Sequence, residues 1–170
     1  MRVRQVLPVV AALGMLGCGV GAPPSTIRLS TPAFSFGSAL PVSYTCRADN
    51  QSPPFSWDNL PKGSKSLVFI VEEANQHTTN WVVYDIDPTS TGSPEQGVAQ
   101  GGIVGTNDLK KNYYVGPCAK PGEPHRYAFR VIALDAKLSL PAGATRKQVE
   151  DAMKGHELAQ GELQATDNGM

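Results

Sequence analysis

Short apolar runs separated by turn residues make up most of the chain beyond residue 26. Two of these runs, Ser66–Val71 and Trp81–Ile86, are continuously apolar, which predicts strands buried on both faces. Other segments alternate between apolar and polar positions, and they add further strand candidates. These candidates are Ile27–Phe36, Leu40–Thr45, Tyr127–Leu134 and Leu158–Thr166. The pattern therefore predicts a protein built mainly of strands.

A helical pattern stands out once, over residues 146–156, where Val149 and Met153 fall on one face. Thr145 immediately before it is a favourable N-cap. The chain also contains 17 glycines and 14 prolines, which favours a turn-rich β protein over a helical bundle. We expect one mainly β domain over residues 27–170, an antiparallel β-sandwich with a short C-terminal helix.

The N-terminal segment has the pattern of an export signal. Two arginines within the first four residues precede the apolar run Val6–Leu16, which is too short to span a membrane as a stable helix. Small residues follow the run, as they do at signal cleavage sites. Residues 1–17 are therefore predicted to be a signal peptide, and the protein to be exported.

The end of this signal resembles that of bacterial lipoproteins. In Met15–Cys18 a small residue precedes the cysteine, although Met15 stands where that pattern usually has leucine. Cys18 is then predicted to carry lipid, with residues 18–26 as a tether. The protein would be anchored to a bacterial membrane and face the periplasm or cell surface. The alternative is a plain secretory signal cut near Ala22, which would give a soluble periplasmic or secreted protein.

The charge of the mature chain argues against nucleic acid as a partner. Without the signal peptide, 13 basic residues remain against 15 acidic ones, a net charge of −2. Nucleic-acid binding depends on a basic surface that neutralises phosphates. No nucleic-acid partner is expected.

Two cysteines remain once Cys18 is assigned to lipidation. In an oxidising, exported setting, Cys46 and Cys118 are expected to form a disulfide. The alternatives are a zinc site formed with His77 or His125 and a Cys118 nucleophile beside His125. Neither cysteine belongs to a CxxC motif or has a histidine at ligand spacing, so no metal is predicted. Motifs of hydrolases, metalloproteases and phosphate-binding loops are missing from the sequence, so neither an enzyme nor a cofactor is expected.

Several sequence blocks in a fixed order resemble the phosphatidylethanolamine-binding protein family, in particular its bacterial Raf-kinase-inhibitor-like branch. The blocks are Ser52–Trp57, Trp81–Tyr84, Gly116–Cys118, His125–Tyr127 and Lys154–Leu163. The resemblance extends over residues 27–166. It implies an antiparallel β-sandwich with a small surface pocket that takes phosphate-like anions.

The resemblance also implies which residues form that pocket. Gly116, Pro117, His125 and Tyr127 match the family pattern. The family's acidic loop, Asp-Pro-Asp-x-Pro, differs here because its first aspartate is Glu73 and both of its prolines are absent. In the next strand, Asn80 replaces the family's pocket histidine.

The predicted ligand-binding residues are therefore Gly116, Pro117, His125, Tyr127, Glu73 and Asn80. Imidazole, tyrosine hydroxyl, amide and backbone N–H groups are suitable donors for an anion. Because one chargeable histidine is replaced by asparagine, we expect weaker anion binding than in a standard member, or a different ligand.

The expected function is a non-enzymatic binding module of the bacterial envelope. Its partners would be a small anionic or phosphate-containing ligand and, through the lipid, the membrane. The alternative is a protein-interaction or inhibitor module that acts on a kinase, a protease or a host component through its surface loops. A hydrolase is a third possibility that would require observed turnover.

Overall fold

The computed structural model describes residues 27–170, which form eight strands and one α-helix. The strands are β1 (Arg28–Ser30), β2 (Phe55–Asp58), β3 (Ser66–Glu73), β4 (Thr79–Ile86), β5 (Gly92–Ser93), β6 (Ile103–Val104), β7 (His125–Leu134) and β8 (Glu157–Asp167), and the helix is α1 (Arg146–Met153). The predicted signal peptide, Cys18 and the whole of the predicted tether, residues 18–26, lie outside the described residues. Within the described range, no helix is long and apolar enough to cross a membrane.

The strands form two antiparallel sheets. One sheet has the order β1-β2-β5, and the other has the order β6-β4-β3-β7-β8. The ladder between β7 and β8 runs from His125 paired with Asp167 to Leu134 paired with Glu157. The predicted β-sandwich with a short C-terminal helix is confirmed.

The position of β3 in the middle of the larger sheet explains its continuous apolar run. Leu67, Phe69 and Val71 belong to the core between the two sheets. The intervening residues Val68 and Ile70 belong to a second core on the other face. Because successive side chains of a strand point to opposite faces, a strand covered on both sides is apolar at every position.

Helix α1 covers the second core. It begins with a capping box in which Thr145 and Gln148 satisfy each other's backbone N–H groups. Val149 and Met153 are its buried residues. The helix ends at Met153, earlier than predicted, and Gly155 in the left-handed region (φ +81°) turns the chain into β8.

The predicted strand at Leu40–Thr45 was wrong. Residues Val42–Tyr44 form a 3-10 helix instead, and Ala39 alone makes a bridge to the larger sheet. Both the N–H and the hydroxyl of Thr45 donate to the carbonyl oxygen of Val42, at 3.0 and 2.8 Å. These bonds close a tight turn after Pro41 that is incompatible with an extended strand.

Candidate ligand-binding site

A β-bulge at the start of β4 determines where Asn80 lies. Val71 of β3 pairs with Trp81 of β4. The next residue of β3, Glu72, pairs with Thr79. Asn80 is therefore the extra residue of the pair of strands and has no partner on β3. Bulges of this kind redirect a side chain away from the regular alternation of the strand.

Asn80 bonds instead to the segment that leads to Gly116. Its side-chain nitrogen donates to the carbonyl oxygen of Val115 at 2.8 Å. Its own carbonyl oxygen accepts from the side chain of Asn107 at 2.8 Å and from the N–H of Val115 at 3.2 Å. The amide that replaces the expected histidine thus helps to hold one wall of the site.

An open cavity of about 190 Å³ lies between this segment, the loop after β3 and the start of β7. Its lining residues are Glu73, Gln76, Thr78, Asn80, Leu109, Gly116, Cys118, His125 and Tyr127. The chain therefore brings together residues that are separated by up to about fifty positions in the sequence.

Five of the six predicted ligand-binding residues line this cavity. The exception is Pro117, which is buried and whose carbonyl oxygen accepts the N–H of Cys46 at 3.0 Å. The cavity is also lined by four residues that the sequence did not predict as ligand-binding: Gln76, Thr78, Leu109 and Cys118. Gln76 and Thr78 lie in the polar loop between two buried strands, which is a usual place for a site. Nothing in the sequence around Leu109 indicated that it would line the cavity.

The loop after β3 is held by Glu73 rather than by prolines. The Glu73 carboxylate accepts the N–H groups of Asn75 and Gln76, at 3.3 and 2.9 Å. The carbonyl oxygen of Glu73 also accepts the N–H of His77 at 2.9 Å. A buried side chain with these bonds fixes the turn, so the loss of both prolines leaves a defined loop.

His125 and Glu73 face each other across the cavity wall. His125 Nδ1 lies 3.7 Å from Glu73 Oε1, which is an ion-pair distance when the imidazole is protonated. The Glu73 side chain is buried, whereas that of His125 is 27% exposed.

Tyr127 supplies a hydroxyl at the base of the cavity. Burial raises the pKa of Tyr127, and the nearby negative charges of Asp167 and Glu73 raise it further. The N–H of Cys118 donates to the hydroxyl oxygen at 3.4 Å, which leaves the O–H proton for another acceptor. Near neutral pH Tyr127 is therefore a neutral hydrogen-bond donor.

The disulfide predicted between Cys46 and Cys118 is confirmed, with a Cα–Cα distance of 5.4 Å. Both sulfurs are committed to this bond, which removes them from the zinc and nucleophile alternatives. Among residues 27–170, no three His, Cys, Asp or Glu side chains converge in a way that could hold a metal ion. The bridge joins the cavity wall at Cys118 to the turn that follows the 3-10 helix.

Gly116 permits this close approach. A Cβ on Gly116 would lie 2.6 Å from the carbonyl oxygen of Tyr44 and within 3 Å of the backbone of Thr45. The N–H of Gly116 donates to Asn50 Oδ1 at 2.7 Å. Any larger residue at position 116 would push the wall of the cavity away from the disulfide.

An ion pair between Arg47 and Asp167 also holds the cavity wall near Cys118 in place. The guanidinium forms two hydrogen bonds to the Asp167 carboxylate. That carboxylate also accepts the N–H groups of Ala119 and Gly169, at 2.8 and 3.1 Å. Burial would raise the pKa of Asp167, but Arg47 and the two N–H groups outweigh it and hold the pKa below its ordinary value.

Asp167→Asn is expected to make the free energy of unfolding depend less on pH in the acid range. Because the folded-state pKa of Asp167 is lowered, its contribution is fully present above the unfolded-state pKa of about 3.9. That contribution is lost as the pH falls through the folded-state pKa. Urea unfolding at pH 7 and pH 3 should therefore show a smaller difference in unfolding free energy for the variant than for wild type. Equal differences would show that Asp167 is not stabilised as a carboxylate.

A cluster of buried charges on the helix side supports the loop of the cavity. Glu72 points away from Glu73, hydrogen-bonds to Arg130 and lies 2.6 Å from Arg146 Nη2. Arg146 Nη1 donates to the carbonyl oxygen of His77 at 2.7 Å and to Thr79 Oγ1 at 2.8 Å. Glu72 thus holds the arginine that ties the loop to helix α1.

Comparison with known proteins identifies the family. A family model described as phosphatidylethanolamine-binding protein matches residues 30–168 of the chain. The chain belongs to the phosphatidylethanolamine-binding protein family. This confirms the resemblance in the sequence blocks, and the match covers both sheets and the cavity.

Relatives and solved structures agree with this family. A UPF0098 protein of Methanothermobacter thermautotrophicus is 40% identical over 145 residues, covering 81% of this chain and 95% of the relative. A UPF0098 protein of Aquifex aeolicus is 39% identical over 141 residues, covering 77% and 82%. This chain thus covers most of the length of both relatives.

Two solved structures share the fold. A phosphatidylethanolamine-binding protein homologue of Chlamydia trachomatis has a TM-score of 0.76 and 34% identity, and the match covers 84% of this chain and 97% of that one. YbcL of Escherichia coli, a member of the same family, has a TM-score of 0.77 and 23% identity, covering 84% and 98%. At that identity, YbcL supports the fold alone.

Proposed function

We propose that this protein is a non-enzymatic binding module whose cavity takes a small phosphate-containing ligand. The observation that carries the proposal is the meeting of His125, Tyr127 and Glu73 at one open cavity. The imidazole of His125 and the neutral phenol of Tyr127 both supply hydrogen-bond donors to an anionic oxygen. Charge-assisted hydrogen bonds of this kind are stronger than neutral ones.

The ligand class that suits the site best is a zwitterionic phosphate headgroup such as phosphoethanolamine. A phosphate alone would accept hydrogen bonds from His125 and Tyr127, but the Glu73 carboxylate would repel it. An amine on the same ligand turns that repulsion into attraction, because the ammonium group pairs with Glu73. The description of the family model, phosphatidylethanolamine-binding protein, supports the same class.

His125→Ala is expected to weaken phosphoethanolamine binding by about tenfold or more, since a charge-assisted hydrogen bond contributes about 1.5–3 kcal/mol. Isothermal titration calorimetry with phosphoethanolamine and with inorganic phosphate would measure the loss and rank the two ligands. His77→Ala is the matched control, because His77 is exposed in the adjacent loop and does not line the cavity.

Unchanged affinity in His125→Ala would mean that the ligand binds elsewhere. A stoichiometric protein partner that is captured equally with and without phosphoethanolamine would favour the inhibitor or protein-interaction alternative instead.

We infer binding rather than catalysis because the candidate nucleophile of the cavity, Cys118, is bonded to Cys46. The pair formed by His125 and Glu73 then has no activated nucleophile beside it. Turnover of a phosphate ester that is lost in both His125→Ala and Glu73→Gln would refute this part of the proposal.

We also propose that the protein is lipid-anchored through Cys18 to a bacterial membrane and faces the periplasm or cell surface. The sequence Met15–Cys18 supports this proposal. When the full chain is expressed in a bacterium, radiolabelled palmitate should be incorporated into wild type and not into Cys18→Ala, and the variant should leave the membrane fraction. If wild type and Cys18→Ala associate equally with the membrane and neither incorporates palmitate, the protein is attached by another means.

A further inference from the structure

A second cavity, separate from the proposed anion site, lies against the residues that precede Gly116. Its volume is about 370 Å³, within the range of roughly 300–1,000 Å³ typical of small-ligand sites. Tyr113, Tyr114 and Asn112 form one side, and residues 49–52 and 96–98 form the others. The two cavities share no lining residue, so the second is a distinct place for a ligand.

The charge of the second cavity distinguishes it from the first. Its lining includes one acidic residue, Asp49, and no lysine, arginine or histidine. A cavity without a cation attracts phosphate poorly, because nothing compensates for the lost hydration of the anion. The lining of the second cavity therefore suits a ligand that is not an anion.

The polar groups available at this cavity are mainly carboxamides. The side chains of Gln51 and Gln96, together with that of Asp49, make no hydrogen bond or ion pair to any other described residue. Each carboxamide has both donors and an acceptor. Groups that donate and accept side by side match hydroxyl groups, which also do both.

The backbone around the cavity is already fixed by two asparagines. Asn50 uses its amide to bond the carbonyl oxygen of Tyr114 and the N–H of Gly116, at 3.2 and 2.7 Å. Asn107 donates to the carbonyl oxygen of Tyr113 at 3.2 Å. The wall formed by Asn50, Tyr113 and Tyr114 is therefore held in place before a ligand binds, which reduces the entropy lost on binding.

Tyr113 supplies the apolar surface. Its side chain is 53% exposed, whereas the neighbouring rings of Tyr114 and Trp81 are buried and pack edge-on at a centroid distance of 5.7 Å. One open aromatic face beside amide groups suits a saturated ring. Such a ring can place C–H bonds against the aromatic face and hydroxyl groups against the amides. A cage for an ammonium group would need several open faces around one point.

We propose that this second cavity binds a neutral carbohydrate, with a sugar ring stacked on Tyr113 and its hydroxyls bonded to Gln51, Gln96 and Asp49. This activity is independent of the proposed anion site. In an exported protein it would recognise a polysaccharide or the glycan part of an envelope molecule.

The test is an NMR titration of the ¹⁵N-labelled residue 18–170 protein, carrying Cys18→Ser, with the neutral disaccharides maltose, cellobiose and N,N′-diacetylchitobiose. At least one is expected to shift the side-chain amide signals of Gln51 and Gln96. Tyr113→Ala should weaken that binding about tenfold. Tyr113→Phe should retain it, because stacking does not need the hydroxyl. Phe36→Ala, which removes another exposed ring, should have no effect.

Three outcomes would overturn the proposal. They are an absence of shifts with all three disaccharides at tens of millimolar, equal binding by Tyr113→Ala, and binding of choline in place of sugars with loss in Asp49→Asn. His125→Ala separates the two proposals, because it should weaken phosphoethanolamine binding about tenfold or more and leave sugar binding unchanged.

Discussion

Replacing Cys46 and Cys118 together by serine is expected to lower the free energy of unfolding by about 4 kcal/mol, because the bond closes a loop of 72 residues in the unfolded chain. For a domain of this size, such a loss corresponds to a melting temperature lower by roughly 10 °C. Since Cys118 lines the cavity at His125 and Tyr127, we also expect weaker phosphoethanolamine binding. Urea unfolding of wild type and variant without reductant measures the first effect, and calorimetry measures the second.

The comparison of Cys46→Ser/Cys118→Ser with Cys46→Ala/Cys118→Ala separates the loss of the bond from the introduction of two hydroxyls. Both double variants should be destabilised, and wild type treated with reductant should approach them. If either double variant unfolds at the wild-type urea concentration, the bridge does not stabilise the fold.

Glu72→Ala is expected to destabilise the protein by about 3 kcal/mol, because it leaves two arginines partly buried without their shared carboxylate. We place the loss at the lower end for such pairs because the Arg130 and Arg146 side chains are 24% and 15% exposed. Arg146 also holds the loop at His77, so the variant should bind phosphoethanolamine less tightly. Chemical denaturation and calorimetry measure the two effects.

Asp151→Asn is the matched control on the same helix. Asp151 pairs with Lys147 and Lys154 at the surface, and exposed pairs contribute little to stability. The Asp151→Asn variant should have the same free energy of unfolding and the same affinity for phosphoethanolamine as wild type, within error. A comparable loss in both variants would show that helix charge in general, rather than the Glu72 cluster, supports the loop.

The strands that the sequence predicted best are those covered on both faces. β3 is apolar at successive positions because Phe69 packs between the sheets and Ile70 packs under helix α1. The segment Leu40–Thr45 alternates between apolar and polar residues as a strand does, but the bonds from Thr45 to Val42 close it into a turn. Local hydrogen bonds of this kind leave no trace in hydrophobic periodicity.

The sequence predicted well which segments surround the cavity at His125 and Tyr127. It predicted less well which side chains of those segments face the cavity. Asn80 faces the cavity because a bulge removes it from the alternation of β4, and bulges are not visible in spacing. Pro117 and Cys118 are adjacent, yet only Cys118 lines the cavity. The pair of Arg47 and Asp167 joins residues 120 positions apart and becomes visible only in the folded structure.

The central claim is that the cavity at His125 and Tyr127 binds a phosphate headgroup, and NMR shift mapping with phosphoethanolamine tests it most directly. We predict saturable shifts of the backbone signals of Gly116, Cys118, His125 and Tyr127, with little change in residues 49–52. In the same titration, His125→Ala should need about tenfold or more phosphoethanolamine to reach the same shifts. Shifts centred on another surface would contradict the account. So would an absence of shifts at phosphoethanolamine concentrations that saturate known phosphate sites.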